Sequence, residues 1–197
     1  VHFYDVTVWI GWIAVLLGMI VAATQFNRIN ANGVEGVSLA TWALFVLLSL
    51  FWACYGVSIK SWEVVLGSLV ALPFQLFILI RLRPWARREV IGRSFLFFAL
   101  ACFVPALFWG WTGAVIAVGM AGSVTRGPQL IHLIRHEGAV GVSVRSWATA
   151  AFVSGLWIIF YYGAHLWAVL VVTAFAGSVS LAIAVLARWR QLQLMPV

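Results

Sequence analysis

The chain has 197 residues, of which 64% are apolar and only 9% charged, and its mean hydropathy is +1.07. A water-soluble domain needs far more polar surface than that, so the apolar excess has to face lipid. The formal charge of +7 does not mark a nucleic-acid-binding protein, because the basic residues sit in short loops between apolar runs and not along one amphipathic face.

A helix needs about 20 mostly apolar residues to cross the hydrocarbon core. Seven segments meet that requirement: 6–27, 38–57, 62–82, 90–109, 112–134, 143–163 and 167–188. The fourth is the weakest, with Arg93 near its start and Pro105 near its end. The intervening loops are too short for another domain, so residues 1–197 read as one membrane domain. Cys54 and Cys102 lie inside apolar runs and read as small buried hydrophobes, not as a disulfide or a metal pair. Trp9, Trp12, Trp62, Trp85 and Trp189 fall at span ends, where indole rings settle at the headgroup level. No cleavable signal segment is evident.

With seven spans the loops alternate sides. One side then receives Arg28, Arg81, Arg83, Arg87, Arg88, Arg93, Arg135, Arg145, Arg188 and Arg190, and the other only Lys60. Such asymmetry predicts an external amino terminus and a cytoplasmic carboxyl terminus. The absence of glycosylation sequons and the strong Arg bias suit a bacterial inner (cell) membrane.

Shifting the chain by 105 positions aligns its two halves. Gly36-Val37-Ser38 meets Gly141-Val142-Ser143, Trp42 meets Trp147, Ser49 meets Ser154, Trp52 meets Trp157, Trp62 meets Trp167, Ala71 meets Ala176 and Arg83 meets Arg188. Conservative pairs fill in between: Thr41 with Ser146, Tyr55 with Phe160, Ser68 with Thr173. A self-match of this kind marks a repeated unit. Residues 5–83 form the first three-helix repeat, 90–109 a single linker helix and 112–189 the second repeat. Three spans is an odd number, so the lone fourth span restores the second repeat to the orientation of the first. The expected fold is an all-α membrane protein of seven transmembrane helices, two parallel three-helix bundles in a 3+1+3 order. Solute sites in such folds lie near the midplane between the repeats.

The second copy reads Gly127-Pro128-Gln129, a short basic loop, Gly141-Val142-Ser143, Trp157 and Phe160-Tyr161-Tyr162-Gly163. The first reads Thr24-Gln25, Gly36-Val37-Ser38, Trp52 and Tyr55-Gly56. Over nearly the whole chain this resembles the PQ-loop superfamily and, within it, the SWEET-type sugar transporters. The resemblance implies two triple-helix bundles around a central cavity, and alternating access by rocking around proline-weakened helices. It also implies a pocket with aromatic residues on the second helix of each repeat, here Trp52 and Trp157, and Asn on the third. Ser68 and Thr173 stand where the Asn are expected, and Thr24 replaces the first motif proline. These departures bear on sugar specificity more than on fold.

Each candidate has a plainer reading beside the functional one. Pro128 removes a backbone hydrogen bond and loosens its helix, as a gate or as a static kink. Gln129, Gln25 and Thr24 accompany it as gate or hinge positions, or as partners in hydrogen bonds between helices. Trp52 and Trp157 can stack on a solute or simply pack between helices. Ser68 and Thr173 can bind a polar solute or bond back to the carbonyl four residues earlier. Ser38 and Ser143 read as N-caps alone. Arg126, at membrane depth, can contact an anion or snorkel to the headgroups.

The five acids, Asp5, Glu35, Glu63, Glu89 and Glu137, fall in loops or near span ends, and His132 is the one candidate proton carrier. Uncoupled transport is the simpler expectation: a facilitative carrier of a small polar solute, foremost a mono- or disaccharide. No metal, cofactor or enzymatic activity is expected, since no catalytic dyad, metal cluster or phosphate loop is visible. The resemblance leaves two rivals. One is a proton-coupled carrier of cystine or cationic amino acids. The other is a non-transporting receptor or an accessory subunit of a membrane complex. Homo-oligomerisation stays open.

Overall fold

The computed structural model describes residues 3–32, 39–82, 87–124, 126–135 and 143–193. These are almost wholly helical and include no strand. The helices are α1 (Phe3–Asn32), α2 (Leu39–Ser58), α3 (Trp62–Leu69), α4 (Leu72–Arg81), α5 (Arg88–Val124), α6 (Gly127–Arg135), α7 (Val144–Gly163) and α8 (Trp167–Gln193).

Eight helical segments thus stand where seven spans are expected, because prolines divide two spans and a glycine joins two others. The span 62–82 is parted into α3 and α4 at Val70–Ala71, with Pro73 in the first turn of α4. Proline has no N–H to return to the preceding turn, and it is best tolerated where a helix starts. The span 112–134 breaks likewise between Val124 and Gly127, just ahead of Pro128. Residues 90–109 and the start of the next span instead form one stretch, α5, in which Gly110 alone leaves helical geometry, at φ 57 and ψ −144. Only a residue without Cβ takes up that conformation at little cost. Two helices, 88–109 and 111–124, meet there, and the Gly113 Cα closes onto the Pro105 carbonyl.

Ser143 caps α7 as expected, its Oγ accepting from the Ser146 N–H at 3.3 Å. Ser61 caps α3 in the same way, accepting from the Val64 N–H. The other expected cap, Ser38, lies outside the described residues.

The turns that follow α2 and α7 are built alike. After α2, Lys60 N–H donates to Val57 O and Ser61 N–H to Gly56 O; after α7, His165 N–H donates to Tyr162 O and Leu166 N–H to Tyr161 O. Each is a Schellman closure, and Lys60 and His165 both adopt φ 56. The bonded residues of one turn lie 105 positions from those of the other, so the shift seen in the sequence recurs in backbone geometry. A non-glycine residue at positive φ costs about 1–2 kcal/mol. Lys60→Gly and His165→Gly are therefore expected to raise thermal stability in detergent micelles, each by about 0.5–1 kcal/mol once the flexibility gained by the unfolded chain is deducted. A lowered melting temperature for both would contradict this account of the turns.

The most extensive helix contact is α7 on α8. Helix α1 packs on α3, α4 and α7, and α2 packs on α3, α4 and α5; α5, α6 and α7 all pack on α8. Small residues permit close crossings, as membrane helices require in the absence of a water-driven force between them. Where α1 crosses α7, the Gly163 Cα sits against the Thr7 side chain and Gly11 against the Phe160 ring. Phe51, Tyr55, Val115, Phe160, Tyr161 and Val169 form the largest buried cluster.

Apolar surface elsewhere faces outward. Leu107, Phe108 and Trp109 are 82%, 72% and 70% exposed. Val6–Thr24, Trp62–Arg81, Arg88–Val124, Val144–Gly163 and Trp167–Gln193 are long and apolar enough to cross a bilayer, and Trp42–Ser58 is a shorter apolar helix. This is an all-helical chain with the spans of an integral membrane protein.

Candidate functional site

A cavity of about 320 Å³ lies among α2, α3, α4, α5, α7 and α8. Its wall brings together all four residues expected to hold a solute: Trp52, Trp157, Ser68 and Thr173. Arg126, from the turn between α5 and α6, lines it too. Each helix supplies residues three or four apart, and so from one face: Ser49 and Trp52 on α2, Ser154, Trp157 and Tyr161 on α7, Val169 and Thr173 on α8.

Much of the wall consists of pairs 105 positions apart. Besides the tryptophans and the Ser68–Thr173 pair, Ser49 matches Ser154, Val64 matches Val169, Gly67 matches Val172 and Ala71 matches Ala176. Apart from Gly67 and Val172 the pairs are alike in type, but the two tryptophans differ in surroundings. Trp157 stacks on Tyr161, with ring centroids 5.4 Å apart and planes at 19°, whereas Trp52 meets Phe51 and Tyr55 edge-on. Trp157 also lies across Gly67: a Cβ there would stand 2.8 Å from the indole Cζ2. This contact joins α3 to α7 at the cavity wall.

The hydroxyls divide. Ser68 Oγ donates to Val64 O at 2.9 Å, the backbone bond that competes with a solute role, and keeps its lone pairs for a donor. Thr173 makes no hydrogen bond among the described residues, so its hydroxyl can both give and accept. Ser49 Oγ donates to Gln75 Oε1 at 2.9 Å, which leaves the Gln75 amide N–H groups without an acceptor among the described residues and able to donate. Ser154 returns its hydroxyl to Ala150 O.

Toward the turns after α2 and α7, the buried cluster around Tyr55, Phe160 and Tyr161 packs across the chain, and a smaller cavity of about 230 Å³ lies beyond it, against Tyr55, Ser58 and Trp111.

The expected gate residues are less fully placed. Thr24 is not on the cavity wall; its hydroxyl donates to Ile20 O at 2.8 Å inside α1, which runs on unbroken through Thr24 and Gln25. The side chains of Gln25, Pro128, Gln129 and His132 lie outside the described residues, while the backbone of Pro128 and Gln129 opens α6. Of the two gate positions only the Pro128 one coincides with a helix break. The second break, before Pro73, was not among the expected gates; a proline inside an apolar run was its signal.

Sequence reasoning also missed Gly67, Gln75 and Tyr161 as wall residues. Their spacing from Ser68, Ala71 and Trp157 would have found two of them, since Gln75 is four residues beyond Ala71 and Tyr161 four beyond Trp157 on the same helical faces. Among the described residues no cluster of His, Cys, Asp or Glu is placed to hold a metal ion.

Fold and site together define a class: an all-helical membrane-type protein with a largely apolar cavity between its helices that carries a few polar groups. No family model, curated protein or solved structure matches the chain.

Proposed function

We propose that the chain is a facilitative carrier of one small polar solute, foremost a sugar, working by alternating access between two three-helix bundles. The observation that carries this reading is the cavity itself. Its wall is assembled from pairs at the sequence-repeat shift, with a tryptophan and a hydroxyl from each half. Its volume sits at the small end of the range for ligand pockets, which suits a single small solute.

Several features favour a 3+1+3 order with residues 88–109 as the linker. The contact of α1 with α7 has a counterpart in that of α2 with α5, and both hairpin turns share one geometry. In that order α1, α2 and α3–α4 form one bundle, and residues 111–135, α7 and α8 the other. In this reading the aromatic cluster forms the closed end of the cavity, and the breaks before Pro73 and Pro128 serve as hinges. Rocking about those breaks would open one end as the other closes. The Arg distribution supports an external amino terminus in a cell membrane. The motifs shared with the PQ-loop superfamily agree with this assignment.

Counterflow into proteoliposomes, with labelled sugars, amino acids and small organic anions, tests the proposal. Wild-type protein should accumulate one class regardless of a pH gradient, and Trp52→Ala/Trp157→Ala should reduce initial uptake at least tenfold. Failure of well-folded protein to move any solute would overturn it in favour of a receptor or accessory subunit. Uptake driven by an imposed pH gradient would instead favour a proton-coupled carrier.

A further inference from the structure

Among the described residues the cavity wall carries one formal charge, that of Arg126. Neither acid whose side chain the structure describes lies on it: Glu63 accepts from Ser61 Oγ at the start of α3, and Glu89 pairs with Arg93 on the surface. The Arg126 guanidinium has no ion pair or hydrogen bond among the described residues; only its backbone is engaged, its N–H donating to Ser123 O and its carbonyl accepting from Leu130 N–H. Arginine stays protonated under all physiological conditions. A cation facing a cavity between membrane helices is costly unless something neutralises it. Across the wall stand hydroxyls, a carboxamide and two indoles, all neutral.

Resting on the carrier reading of this cavity, we infer that its solute is a monoanion: a hydroxylated carboxylate of about sugar size, its carboxylate on Arg126 and its hydroxylated carbons between Trp52, Trp157 and Thr173. A single arginine matches a single carboxylate. The planar guanidinium presents two parallel N–H donors to two carboxylate oxygens. A phosphate monoester would bring close to two charges against one cation. The neutral remainder of the wall suits carbon-bound hydroxyls, with the indoles covering the apolar faces of the solute.

The test is equilibrium binding to the purified full chain in nanodiscs, read by tryptophan fluorescence and checked by calorimetry, with glucuronate and glucose as a matched charged and neutral pair. Glucuronate should bind at least tenfold more tightly than glucose. Arg126→Gln should remove that preference, bringing the two affinities within about threefold of each other, and Arg126→Lys should keep part of it, because lysine holds the charge but not the paired donors. An unaltered melting temperature in both variants shows that the effect is local. Equal or tighter glucose binding, a preference that survives Arg126→Gln, or no binding of either compound at tens of millimolar would overturn the inference. Counterflow of the same two compounds separates this from the carrier reading. Neutral uptake without charge preference sinks the anion and keeps the carrier. Preferential glucuronate binding without counterflow sinks the carrier and keeps the anion site.

Discussion

Replacing Gly67 with leucine is expected to abolish solute uptake while leaving a folded protein. Gly67 is the point where α3 meets the indole of Trp157, at Cζ2 and Cη2, and it lines the cavity. A Cβ at this position would stand 2.8 Å from Trp157 Cζ2, 3.1 Å from Cη2 and 3.3 Å from Val15 Cγ2. A leucine adds three further carbons, for which the free direction is the cavity itself. Overpacking of this kind costs about 1–3 kcal/mol, within what a chain of this size tolerates. The solute has no such latitude, since a side chain of that volume takes up a large share of a cavity of about 320 Å³. Counterflow should fall to the level of empty liposomes, and size-exclusion behaviour should stay that of wild type. Gly67→Ala should give an intermediate rate, because the methyl group only displaces the Trp157 ring edge. Wild-type uptake by Gly67→Leu would place the solute path elsewhere.

The two cavity tryptophans should differ in what they contribute to stability, although they match at the shift of 105 positions. Trp157 has a stacked partner in Tyr161, an edge contact with Phe160 at 5.6 Å and the Gly67 backbone beneath it. Trp52 has edge contacts with Phe51 and Tyr55. Removing a well-packed tryptophan costs about 3–5 kcal/mol, and an aromatic pair adds about 0.5–1.5 kcal/mol beyond its area. Both rings are only half-buried, so the lower end of that range applies. Trp157→Ala is expected to cost about 1 kcal/mol more than Trp52→Ala, read as the larger fall in melting temperature in the same detergent. Binding of solute should weaken in both. Equal melting temperatures would mean that the stack on Tyr161 adds nothing to the α7–α8 half.

Parts of this architecture were legible before any coordinates. Trp52, Trp157, Ser68 and Thr173 share one cavity wall, and the sequence pointed to them through the family resemblance and the shift of 105 positions between its halves. The cap at Ser143 was legible because it depends on neighbours within one turn. The division of the helices was not. A hydropathy scan averages over a window, so the break before Pro73 vanished inside an apolar run, and the start of 112–134 gave no sign of being continuous with 90–109 through Gly110. Gly67 was invisible for another reason: its importance lies in what Trp157, ninety positions away, presses against it.

The sequence alone determined that the chain is helical and apolar enough for a bilayer, and it carries a self-match at a shift of 105 positions, because composition, periodicity and self-similarity are properties of the linear chain. Only the tertiary structure decided which faces of those helices enclose a cavity, that Trp157 is stacked and Trp52 is not, and that Arg126 lines that cavity with no side-chain partner among the described residues. Those outcomes depend on how distant segments cross, and helix crossings are set by the shapes of side chains on both partners at once.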